Sequence, residues 1–486
     1  MATSSKSISK GFFWKLLERF GVQGVQFVLQ IVLGRLLSPE LHGVLAIMLI
    51  FTTLANVFIQ QGFNTSLIQN KDVTEDDYSS VFWVSLCVAG GLYALIFFCA
   101  PYIAQFYNMP EIVSPLRILA LILFPGALNS IQLAKVSREL NFKKVFISNV
   151  AAIIVSGTVG ITMAYMGAGL WALVGQSVAN VFTSCLVMRF TVRLKLRFHC
   201  NFKRIKVLFG FGWKLLVSSL IDTLYTDVYS LVLGKKYDSG TLGYYSKGKL
   251  FPQFIINSIN GAVQSVMLPA MSSEQNEREK AKALMRTSMT LSSYIIFPMM
   301  AGLAAVATPL ISLLLTDKWL PCVPYLQIFC FSMAFYPVHS CNLQTINAMG
   351  RSDVFLKLEL IKKAYGMALL ILALAFFNSP LAIAATAIVS TVINSFVNAA
   401  PNKKLIGYSY FEQLRDILPS LILSLVMFAG VLAIGTVLSL HPVLVIAIQV
   451  VCGVVFYLLA SVILKLKPFT MLWGMAKNKI HHKTES

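Results

Sequence analysis

The chain has 486 residues, is 57% hydrophobic and only 12% charged, and its mean hydropathy is +0.73. A water-soluble domain carries roughly 25% charge, so the composition excludes one and points to a protein that crosses a membrane many times. The net charge of +20, from 40 basic and 20 acidic residues, does not imply nucleic acid, because the basic residues stand beside apolar runs, where membrane topology places them.

Taken in chain order, apolar runs of about twenty residues, each long enough for a bilayer core of about 30 Å, predict an all-α membrane protein of about fourteen helices. The spans fall at 11–36, 41–68, 79–104, 112–136, 145–166, 169–190, 206–234, 241–271, 284–314, 323–348, 355–377, 380–401, 415–437 and 442–465. The first carries Lys15, Glu18 and Arg19 and so does not read as a removable signal peptide. No connection exceeds about twenty residues, which leaves no room for a soluble catalytic domain. Eight cysteines are scattered with no CxxC and no Cys/His cluster, a pattern of small hydrophobes and not of a metal or disulfide framework.

Connections after even-numbered spans are basic. Lys135, Arg138, Lys143 and Lys144 follow the fourth, Arg278, Lys280 and Lys282 the eighth, and Lys403 and Lys404 the twelfth. By the positive-inside rule both termini are cytoplasmic. Two places fit poorly: the acidic segment QNKDVTEDDY (69–78) on the inside, and Lys235, Lys236, Lys247 and Lys249 on the outside.

GFFWKLL at 11–17 returns as GFGWKLL at 210–216, and Gly43 has its counterpart in Gly243. Six spans separate the copies, an even number, so the halves have the same orientation. Parallel repeats of this kind occur in secondary transporters whose path runs between the halves. The expected organisation is a six-helix bundle at 1–200, a second at 201–405, and two further helices with a basic tail at 406–486.

Polar residues recur at helical spacing. Lys15, Arg19, Gln23, Gln26 and Gln30 on the first span match Lys214, Ser218, Asp222, Tyr225 and Tyr229 on the seventh. The eighth carries Lys249, Gln253, Asn257, Asn260 and Gln264, and the second Thr53, Asn56, Gln60 and Asn64. Steps of three and four keep each set on one face. A charged side chain near the bilayer centre costs roughly 2.5–3.5 kcal/mol, so these faces are expected to line an aqueous cavity. The last two spans, whose interior polar residues are a few Ser and Thr plus Gln449, are expected to lie outside it.

Lys15, Arg19, Lys214, Arg35, Arg117, Lys235, Lys247 and Lys249 make both ends of the path basic, which suits an anion with phosphates. Glu18, Asp222, Asp227 and Glu359 are ion-coupling candidates, since intramembrane carboxylates are cation or proton sites by default. Each also has nearby bases, Glu359 in particular Lys362 and Lys363. His339 reads as a core histidine, and Pro252, Pro269, Pro298 and Pro337 as interruptions of the eighth to tenth spans.

Several segments, GRLLSPELHGVLA (34–46), QGFNTSLIQNKDVT (61–74), SRELNFKK (137–144), LPAMSSEQNEREK (268–280) and DKWLPCVPYLQIF (317–329), resemble the Wzx-type oligosaccharide flippases over essentially the full chain. The subgroup of the colanic and teichuronic acid exporters is the most similar. The resemblance implies the multidrug/oligosaccharidyl-lipid/polysaccharide superfamily, and two bundles around a V-shaped cavity. It further implies translocation of an undecaprenyl-diphosphate-linked oligosaccharide across a bacterial cytoplasmic membrane by alternating access. No cofactor is implied beyond a coupling H+ or Na+, and a polysaccharide polymerase and export machinery are implied partners. Family members use cationic cavity residues, matched here by Lys15, Arg19, Arg35 and Lys214, although Ser218 stands where the repeat would give Arg19 a counterpart. With Gln23, Gln26, Gln253 and Asn257 as sugar partners, these cations together with Arg117, Lys247 and Lys249 form the expected substrate set. The alternative is a cation-coupled multidrug exporter of the same superfamily, which would call for an acidic cavity, and the basic bias speaks against it. A membrane glycosyltransferase or polymerase would need a sizeable extramembrane loop, and the short connections argue against that.

Overall fold

A computed structural model describes residues 21–474 apart from 71, 193, 195, 199, 200, 276 and 439. Within helices, the side chains of 62, 63, 65, 69, 203, 211, 260–266, 268 and 269 are not described. All regular elements among the described residues are helical. They are α1 (Gln23–Leu36), α2 (Pro39–Gln69), α3 (Glu75–Tyr107), α4 (Val113–Leu119), α5 (Leu123–Glu139), α6 (Phe142–Tyr165), α7 (Leu170–Thr191), α8 (Phe202–Lys236) and α9 (Ser239–Ser273). They continue as α10 (Arg278–Ala305), α11 (Ala307–Leu315), α12 (Val323–Ala334), α13 (Tyr336–Ala348), α14 (Ser352–Phe376), α15 (Pro380–Ile406), α16 (Tyr410–Val437) and α17 (Pro442–Ile463).

Among the described residues, 11 helical stretches are long and apolar enough to cross a membrane, which makes this a multi-pass membrane protein. The polar stripe of α9 and the Asp353, Lys357, Glu359, Lys362 and Lys363 cluster early in α14 hold the hydropathy of those two helices down. Helix ends follow local chemistry. Pro39 begins α2, where its missing N–H costs nothing. Thr74 and Asp77 form a capping box on α3, as Ser409 and Glu412 do on α16.

Three predicted spans are broken. The fourth is α4 and α5 joined by a 3-10 turn at Ala120–Ile122, the ninth is α10 and α11, and the tenth is α12 and α13. Proline accounts for fewer breaks than expected. Helix α9 runs through Pro252 and Pro269, and α10 through Pro298 to Ala305. Neighbouring helices and local adjustment can re-satisfy a freed carbonyl. Only Pro337 lies at a break, in the first turn of α13, the position a proline tolerates.

The chain forms two compact units, Met1–Ser246 and Lys247–Ser486. In the first, α6 and α7 form a closely packed hairpin, and Leu29 of α1 rests against Gly157 of α6. Helix α8, which opens the second copy of the repeat, runs antiparallel along α2. Ser66 Oγ donates to the Leu208 carbonyl at 2.9 Å at one end, and Gly234 lies against Ile47 at the other. In the second unit α10 packs on α16, and α16 on α17, around a core that includes Tyr294, Leu423, Met427 and Tyr457. Gln449, the isolated polar residue of α17, is buried and donates to the Val431 carbonyl at 2.9 Å.

The acidic segment at 69–78 is neutralised within the first unit. Arg204 donates to both carboxylate oxygens of Asp77, at 3.0 and 2.9 Å, while Arg197 pairs with Asp76 and Lys135 with Glu75. The Asp77 contact raises the Arg204 pKa further. The cations that match it come from α5 (Lys135), from the connection before α8 (Arg197) and from the first turn of α8 (Arg204).

Candidate functional site

The polar stripes lie on helices that leave them uncovered. In the first unit Gln26 of α1 is exposed and Gln23 and Gln30 are half-buried; on α2 Thr53 and Gln60 are exposed and Asn56 and Asn64 partly so. Helix α8 is the clearest case. One side packs on α2, a second exposes Lys214, Ser218 and Asp222 with Tyr225 and Tyr229 half-buried beyond them, and a third exposes Trp213, Val217, Ile221 and Leu224. An apolar face suits acyl chains, and a polar face beside it does not. Lys15, Glu18 and Arg19 lie outside the described residues. In the second unit Gln253 and Asn257 of α9 are exposed, and Asn260 and Gln264 are among the side chains not described.

The remaining cations differ in their surroundings. Arg35 and Lys214 are exposed, and Lys214 makes no ion pair with any described residue. Arg117 is engaged: its Nε donates to the Phe97 carbonyl at 3.1 Å, and its guanidinium lies 4.0 Å from the Phe97 ring centroid. Lys235 donates to the Phe106 carbonyl and stands over that ring at 4.3 Å. Lys247 is 4% exposed, with its ammonium 5.7 Å from the Trp319 ring centroid, and Lys249 is half-buried. Of the acids, Asp222 is exposed, Asp227 half-buried, and Glu359 paired with Lys362.

The repeat-related glycines meet. A β-carbon on Gly43 would lie 1.7 Å from the Ser239 carbonyl oxygen, and one on Gly243 would lie 2.1 Å from that of Pro39. The first turns of α2 and α9 therefore cross backbone to backbone, each glycine against the residue that opens the other helix. Only a residue without a side chain permits that approach. The reciprocity marks the contact as a product of the internal repeat, within the first unit.

A polar cavity missing from the sequence-derived set lies within the second unit. It measures about 410 Å³ between α13, α14 and α15, and its wall includes His339, Gln344, Glu359, Lys362, Asn394 and Asn398. A chain of buried amides reaches it from the connection before α16. Gln413 donates to the Tyr408 carbonyl and to Asn342 Oδ1, and Asn402 donates to the same Asn342 oxygen at 2.7 Å and to the Asn398 carbonyl. Burial, and a hydrogen bond to Asp416 at 2.6 Å, hold the Tyr408 phenol protonated well above its usual range. Sequence signals for the cavity existed in His339 and Glu359, but these were read singly and not as neighbours across two helices.

Residues 32–324 match a family model described as polysaccharide biosynthesis protein. The chain is similar to the succinoglycan biosynthesis transport protein ExoT of Rhizobium meliloti (strain 1021), 22% identical over 359 residues, 74% of this chain and 73% of the relative. It is equally similar to the lipopolysaccharide biosynthesis protein WzxC of Escherichia coli (strain K12), 22% identical over 448 residues, 90% of this chain and 89% of the relative. Among solved structures, the fold is similar to the lipid II flippase MurJ in an inward closed conformation, with a TM-score of 0.77 at 15% identity over 93% of this chain and 99% of that one. An inward-facing multidrug resistance MATE family transporter of the MOP superfamily follows at a TM-score of 0.60, 12% identity, and 80% and 98% coverage. At these identities the structural likeness establishes an all-α transporter fold.

Proposed function

The chain belongs to the polysaccharide biosynthesis protein family, and from that premise we propose that it is a flippase for a polyprenyl-diphosphate-linked oligosaccharide. It moves the headgroup from the cytoplasmic to the outer leaflet of a bacterial cytoplasmic membrane by alternating access, coupled to a cation gradient. Both termini are cytoplasmic, residues 1–200 and 201–405 are the two bundles, and 406–486 is appended. The sugars pass to a polymerase and export machinery of the same pathway class.

The observation that carries this proposal is the exposed polar face of α8 beside an equally exposed apolar one. A diphosphate with a glycan cannot enter hydrocarbon, whereas its polyprenyl chain can stay there. A helix with one wet and one oily face, repeated on α1 and α2, is what such an amphipathic cargo needs. The Gly43–Gly243 crossing packs the start of α9 against the start of α2 within the first unit. Lys214, Arg35 and, on the stripe of the first span, Lys15 and Arg19 are the cations assigned to the diphosphate, and Gln23, Gln26, Gln253 and Asn257 are hydrogen-bonding partners for sugars.

The test is transport of a defined polyprenyl-diphosphate sugar in proteoliposomes. Wild type is expected to translocate it, and Lys214→Ala to do so about tenfold more slowly, the loss of about 1.4 kcal/mol expected for one charge-assisted contact. No translocation by wild type would overturn the proposal, and wild-type rates in Lys214→Ala would remove that residue from the site.

A further inference from the structure

We propose that the cavity between α13, α14 and α15 is a saccharide subsite that binds a neutral sugar unit. The inference rests on the flippase reading for its biological source of sugar, but its chemistry is local. The volume of about 410 Å³ lies within the range of about 300–1,000 Å³ typical of small-molecule sites. Tyr336, which is exposed, and Asn347, also exposed, both line it, so the space is reached from outside.

Both ring nitrogens of His339, Oε1 of Gln344 and Oδ1 of Asn398 are buried and have no hydrogen-bond partner among the described residues. Asn398 is 1% exposed. Buried polar groups are rarely left unmet in native proteins. Several unmet groups converging on one cavity mark a place that something else completes.

The mixture of groups selects the ligand. A neutral imidazole offers one donor and one acceptor, and the two amide oxygens accept only. Asn394 accepts from the Tyr365 hydroxyl, which leaves its amide N–H groups as donors. Glu359 and Lys362 pair with each other, so the wall contributes little net charge. A metal cation would meet the Lys362 ammonium, and a phosphate would meet the amide oxygens and the Glu359 carboxylate. Hydroxyl groups, each donor and acceptor at once, match the set, and the Tyr336 and Phe355 rings on the same wall offer apolar surface to the C–H face of a sugar ring.

The subsite is tested on the purified full chain in lipid nanodiscs by saturation-transfer NMR with free glucose, galactose and N-acetylglucosamine, and with glucuronate as a charged control. Wild type is expected to transfer saturation to the neutral sugars more than to glucuronate. Gln344→Leu, which strips an acceptor, and Leu343→Trp, which fills the space, are each expected to lose that signal, and using both guards against one failing to fold. Absence of signal in wild type, preference for glucuronate, or full signal in both folded variants would overturn the subsite. The same variants in the proteoliposome assay separate free sugar from the lipid-linked form. Raised half-saturation for the lipid-linked oligosaccharide supports the subsite. Wild-type transport in variants that also bind sugar normally overturns it while the flippase reading stands. Sugar binding by a wild type that translocates nothing leaves the subsite and sinks the flippase reading.

Discussion

Arg117 and Lys214 are both intramembrane cations, and their surroundings give them different work. The Arg117 guanidinium covers the Phe97 ring and its Nε is taken by the Phe97 carbonyl. Desolvated cation–π contacts contribute about 1–2 kcal/mol. Arg117→Ala is therefore expected to lower stability by about that amount while leaving the half-saturation for substrate unchanged, as thermal unfolding and transport titration would check. Lys214 has no such partner among the described residues and stands on the exposed polar face. The sequence gives both residues the same hydrophobic flanks. What separates them is a ring twenty residues away from Arg117, on another helix, which periodicity cannot reveal.

At the scale of elements, the crossing of α2 and α9 is the most specific contact in the fold. Its glycines stand in equivalent positions of the two repeats, so the sequence marks them as related, but only the backbone geometry shows that they touch. A methyl group at either position must push the helix ends apart. Overpacking of this kind costs about 1–3 kcal/mol. Gly43→Ala and Gly243→Ala are each expected to lengthen the distance between spin labels at Glu40 and Lys236, both exposed, in pulsed electron resonance. Unchanged distances in both variants would mean that the glycine contact does not set the spacing of these helix ends. The helices themselves were legible from apolar runs, and Pro337 marked the break at Phe335, whereas the break at Val306 was not legible. Proline was the expected cause, and α10 continues straight through Pro298.

For the whole molecule, composition and hydropathy were enough to read the class, an all-α multi-pass membrane protein. The charge pattern did not reveal which charges are neutralised by partners distant in sequence, as Asp77 is by Arg204. The cavity of the second unit was hidden for a similar reason, because its members are ordinary residues until three helices bring them together. The account depends on the stripe of α8 facing water while its neighbour faces lipid. In a cysteine-free background, single cysteines at 214, 218, 222, 225 and 229, and at 213, 217, 221 and 224, can be challenged with a membrane-impermeant thiol reagent in proteoliposomes. The account expects rapid modification along the first set and protection along the second. Protection of the first set, or equal rates around the helix, would contradict it.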